Sequence, residues 1–191
     1  MPMPQQSTEG DMKLNKRQRE ESTANRFLSL FNERNGTQYE IKQMRDAPDV
    51  HCTDKRSGAT LFLEVTLLEG MSGFIESANT GKPLRVSPHT GTTAVSLLDD
   101  VVPNIAERIN DKLLSSYGAN TALVLDSVTI LFGVREWELI KQRYIPTLFA
   151  GKERNFGAGV WIVFTDSSLQ PTRETLFCLH EPTDGVILQA A

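Results

Sequence analysis

Ala47-Pro48-Asp49-Val50-His51-Cys52 and, a short turn later, Leu61-Phe62-Leu63-Glu64-Val65-Thr66 are the segments that decide the fold of this chain. Thr53-Asp54-Lys55-Arg56-Ser57-Gly58, a run of turn-formers and charges, separates them. Val50 on one side and Phe62, Leu63 and Val65 on the other suit strands, so the stretch predicts a β-hairpin. With the turn centred between Arg56 and Ser57, Asp49 opposes Glu64 and Phe62 lies across from His51. One face then carries Asp49, His51, Glu64 and Thr66. The other carries Pro48, Val50, Cys52, Leu61, Leu63 and Val65. Like charges directly opposite are destabilising, and a divalent cation is one way to offset them. Mg²⁺ takes one or two carboxylates with waters and phosphate oxygens. A solvated polar face is the plainer alternative.

Outward from the hairpin, Ala24, Phe27, Leu28 and Phe31 recur at helical spacing, predicting a helix over Lys13 to Arg34 that Asn35-Gly36 stops. Residues 1–12 read as a disordered, polar tail and 13–191 as one domain. A strand is expected over Gln38 to Met44. Glu69 to Thr93 is rich in Gly, Ser, Thr and Pro, and reads as a long functional or mobile loop. A helix follows from Ala94 or Pro103 to Tyr117, with Ile105, Ile109 and Leu113 on one stripe. Thr121 to Asp126 and Gly159 to Phe164 fit buried strands. Glu136 to Phe149 reads as a helix disturbed at Pro146, and Glu174 to Leu179 as an edge strand. The order predicts an α/β domain whose mixed sheet joins an antiparallel meander to a βαβ crossover, flanked by helices.

Pro48-Asp49 followed by Glu64-Val65-Thr66 at the end of the next apolar strand resembles the PD-(D/E)XK nuclease superfamily, with its restriction-endonuclease-like fold. The resemblance covers roughly Lys13 to Asp126. It implies that Asp49 and Glu64 bind a catalytic Mg²⁺ or Mn²⁺ whose water attacks a phosphodiester, with Thr66 hydrogen-bonding a metal water. That family carries a lysine where this chain has Thr66. Some members place it on the following helix, where Lys112 borders the Ile105 and Ile109 stripe and a long side chain reaches along it. An ordinary surface lysine is the alternative there. The family often adds a first-helix glutamate, and Glu20 lies closer than Glu21 to the centre of the apolar stripe. Helical carboxylates are otherwise mostly solvated.

Net charge is −4 over 191 residues, so the molecule as a whole is no basic nucleic-acid coat. Lys13, Lys16, Arg17, Arg19 and Arg26, with Lys82, Arg85 and His89 in the loop, could still track a phosphate backbone. A basic solvated helix face is the commoner arrangement. Cys52 and Cys178 suit a reduced, cytoplasmic protein, and no apolar run approaches a membrane span. No zinc spacing occurs. Gly81-Lys82 lacks the P-loop pattern, and no Gly-x-Ser-x-Gly elbow occurs. Cys52, Trp137 and Trp161 read as core. The leading expectation is metal-dependent hydrolysis of nucleic acid, DNA ahead of RNA, with a homodimer possible and no membrane partner. The alternative is the same fold without catalysis, as a binding or assembly module. A small-molecule enzyme using the loop as a lid is more remote.

Overall fold

Alternation of side chains along the strands sorts the molecule into layers. A computed structural model describes residues 9–68, 94–127, 132–150, 155–166 and 171–183. In chain order these form α1 (Glu9–Asn35), β1 (Tyr39–Met44), β2 (Val50–Asp54), β3 (Thr60–Leu67), α2 (Ala94–Leu113), β4 (Thr121–Ser127), α3 (Val134–Arg143), α4 (Ile145–Phe149), β5 (Val160–Asp166) and β6 (Arg173–His180). The six strands make one mixed open sheet in sequence order. β1, β2 and β3 pair antiparallel, β3, β4 and β5 parallel, and β6 closes antiparallel on β5.

Two crossovers, β3-α2-β4 and β4-α3-α4-β5, step the same way across the sheet. Right-handed crossovers of that kind put their helices on one face. There Ile105, Ile109 and Leu113 of α2 and Trp137 and Ile140 of α3 bury against Leu123, Leu125, Ile162 and Phe164. On the other face Ala24, Phe27, Leu28 and Phe31 of α1 bury against Val50, Cys52, Leu63, Val65, Val124 and Trp161. Burying one such side chain fully is worth about 1.5–3 kcal/mol.

Several boundaries differ from expectation. α1 begins at Glu9 rather than Lys13, and residues 1–8 lie outside the described ones. α2 begins at Ala94 with Pro103 inside it, and ends at Leu113 rather than Tyr117. The helix expected over Glu136 to Phe149 is two helices, parted at Tyr144. Pro146 explains the break, because proline disfavours helical backbone just before it and its ring crowds the carbonyl one turn back. β6 is an edge strand, as its pattern predicts. The long segment 69–93, with Lys82, Arg85 and His89, lies outside the described residues, as does the side chain of Lys13.

Candidate functional site

The hairpin turn is held by Asp54, whose Oδ1 accepts from Arg56 N–H at 2.9 Å and whose Oδ2 accepts from Ser57 Oγ at 3.1 Å. This turn fixes the register: Val50 faces Leu63, His51 faces Phe62 and Cys52 faces Leu61. It is the register expected from the sequence. Asp49 sits one residue before β2, where the ladder has ended. Phe62 N–H donates to Asn120 O at 2.9 Å on the β4 side, so alternation turns Val65 N–H towards β2. With no strand left to receive it, that N–H donates to Asp49 Oδ2 at 2.7 Å. Asp49 is buried, and burial pushes its carboxyl up to about 7. The Val65 N–H opposes that rise, the Glu64 and Glu20 charges add to it, and Lys112 pulls it down.

Glu64 and Thr66 stand level with Leu123 and Leu125 of β4, on the sheet face that α2 covers. Lys112, in the last turn of α2, reaches down to that face, and its Nζ makes an ion pair with Glu64 Oε1. Apolar methylenes lying along a buried stripe with the ammonium at its border is the usual way lysine reaches inward. The end of α2 is held from behind, since Asn155 Nδ2 donates to Leu113 O at 2.9 Å. Glu64 Oε2 and Thr66 Oγ1 are buried with no hydrogen-bond partner among the described residues. Buried polar atoms left unpaired are costly, so these two oxygens mark a place that suits a ligand.

Glu20 is buried on the α1 stripe while Glu21 is exposed. Glu20 pairs with Lys16 at 3.3 Å and reaches Asp49 through its charge. The structure thus brings Asp49, Glu64 and Lys112 to one place, with Thr66 beside Glu64 on β3 and Glu20 acting from α1. Tyr117 joins them unforeseen. Its phenol is pushed up to about 12 by burial and then by the charges of Glu64 and Asp49, and its ring stacks on Phe156 at 4.8 Å. Tyr117 follows α2 in irregular chain, where no periodicity reports which way a side chain turns.

The basic stripe of α1 needs a correction at Arg26. Its guanidinium donates to both oxygens of buried Asp126 at 3.0 Å and to Glu174, so it locks α1 to β4 and β6 rather than meeting phosphate. Lys16 serves Glu20, and Arg17 Nη2 donates to Met44 O at 3.2 Å while remaining exposed.

Mg²⁺ or Mn²⁺ fits this donor set. Two adjacent carboxylates are available, one with an unpaired buried oxygen, beside an unpaired hydroxyl, and Mg²⁺ completes its shell with water. No group of three or more His, Cys, Asp or Glu side chains arranged to hold a metal occurs among the described residues, so Glu20 does not complete such a group. Comparison with family models, with curated proteins and with solved structures returned no match. Among the described residues no helix is long and apolar enough to cross a membrane.

Proposed function

We propose that this protein hydrolyses phosphodiester bonds of nucleic acid with Mg²⁺ or Mn²⁺, on an α/β domain of the restriction-endonuclease-like kind. The observation that carries the reading is the ion pair that brings Lys112 from α2 onto Glu64, next to Asp49. The lysine that the resemblance expects at position 66 would then come from the following helix. Asp49 and Glu64 would hold the ion, which supplies Lewis-acid polarisation and an acidified water. With the ion bound at Glu64, the Lys112 ammonium would be available to donate to a phosphate oxygen or to the attacking water. Thr66 Oγ1, which has no hydrogen-bond partner among the described residues, would be placed to hydrogen-bond a water of that ion. The resemblance favours DNA over RNA as substrate and allows a homodimer. Cys52 and Cys178, both buried free thiols, support a cytoplasmic home.

Incubation of the purified protein with labelled DNA and RNA in Mg²⁺ or Mn²⁺ tests the proposal. Cutting is expected in wild type and lost in Asp49→Ala and Glu64→Ala. Undiminished cutting by both variants would falsify the assignment. A second reading, a non-catalytic binding module, is favoured by Thr66 itself, a hydroxyl where the family has an amine. Calorimetry with Mn²⁺ separates the two, because an inactive scaffold has no need to keep a metal site.

A further inference from the structure

The hairpin face that carries Glu64 also carries an aromatic row that the metal chemistry leaves unused. His51 and Phe62, facing each other across β2 and β3, stack with centroids 5.0 Å apart and planes at 26°. The Arg45 guanidinium lies 5.5 Å from the Phe62 ring centre. Gln43 faces His51 from β1, extending the row. His51 and Phe62 are partly exposed and Arg45 is exposed. Among the described residues, the buried cluster beneath α2 and α3 includes no side chain from β1 or β2.

We infer that His51, Phe62 and Arg45 form a platform on which an unpaired nucleobase stacks as its strand enters the site at Asp49 and Glu64. Phe62 is two residues from Glu64 on the same strand face, about 7 Å along β3, close to the spacing between successive nucleotides of an extended strand. An aromatic face takes any base, and an arginine beside it adds cation–π attraction and a phosphate contact. The exposed side chains of Arg45 and Arg17 lie at this end of β1, Arg17 donating to Met44 O, with exposed Asp46 next to Arg45. A duplex keeps its bases stacked on one another and offers none to such a row. The occupant is therefore a single-stranded or locally opened nucleic acid.

This rests on the nuclease reading for the strand's destination, and its test is independent of cutting. Anisotropy in EDTA at low salt compares a short labelled oligothymidylate with the same backbone made wholly of abasic sites. Wild type should prefer the thymidylate. Phe62→Ala and His51→Ala should weaken that binding about tenfold or more, the loss of one stacked base, and leave the abasic backbone unaffected. Phe62→Leu, which keeps apolar bulk and removes the ring, should behave as Phe62→Ala with the fold intact. Equal wild-type affinity for both probes, no binding of either, or thymidylate binding unchanged in all three variants overturns the platform. Base-dependent binding by a protein that never cuts in Mn²⁺ keeps the platform and removes the nuclease.

Discussion

Asp49 is a carboxylate that folding makes harder to ionise. Its pKa stands at about 7 in the folded chain against 3.8 ordinarily, through burial first and then the Glu64 and Glu20 charges, with Val65 N–H opposing. The folded state therefore keeps a proton that the unfolded chain has already released. Stability falls as pH rises from about 4 to about 7, and the loss levels off above that. At 1.36 kcal/mol per pKa unit the ceiling is roughly 4 kcal/mol. Urea melts in EDTA across that window should show this decline in wild type. Asp49→Asn, which can still accept from Val65 N–H, should flatten it and be the more stable protein at neutral pH. Parallel pH profiles for the two proteins would remove Asp49 as the source. The opposed carboxylates thus have offsets other than a metal: a proton retained by Asp49 and the Lys112 ammonium at Glu64. On the proposed function, a cation would add to these by taking up the Glu64 oxygen that has no partner among the described residues.

At the scale of elements, α1 is fastened to the sheet by charge as well as by its apolar stripe. Asp126 is only 4% exposed and accepts from Arg26 and from Thr23 Oγ1. Removing one partner of such a pair leaves a buried charge uncompensated, at a cost of about 3–5 kcal/mol. Arg26→Ala should lose that much stability in denaturant melts. Adding Asp126→Ala should recover part of it, since neighbours in one network are not additive; strictly additive losses would show the pair to be uncoupled. This lock was invisible in the sequence, where Arg26 is one of several cations and nothing reports which anion a hundred residues later will meet it. What could be read was local. The turn at Asp54 and Gly58 sets the hairpin register, and the register alone places His51 against Phe62. The α1 stripe distinguishes Glu20 from Glu21, and the position of Lys112 at the border of the α2 stripe indicates its inward reach. Pro146 did carry its signal, but as a break between α3 and α4 rather than a disturbed last turn. Tyr117 is expected to end the α2 helix, but that helix stops at Leu113 and leaves it in irregular backbone, which has no period from which to infer a direction.

For the molecule as a whole, the candidate site lies where separate parts of the fold meet. Asp49 comes from the residue just before the hairpin's first strand, Glu64 from the centre of the sheet, and Lys112 from the helix layer on one face, while Glu20 acts from the other. A cation held by Asp49 and Glu64 therefore binds only the folded chain, and its affinity must show as global stability. By mass action, a ligand at a hundred times its dissociation constant adds about 2.7 kcal/mol. For a domain of this size that is a rise of roughly 5–10 °C in melting temperature. Mn²⁺ should produce such a rise in wild type and none in Glu64→Gln. Lys112→Met adds a discriminating case, because on the proposed function the ammonium would compete with the ion for Glu64 and also serve the reaction. That variant should show a larger Mn²⁺ shift than wild type together with loss of cutting. Equal shifts in wild type and Glu64→Gln would place the ion elsewhere. A Lys112→Met protein that cuts normally would return this lysine to a purely structural part, closing the hairpin carboxylate off from solvent.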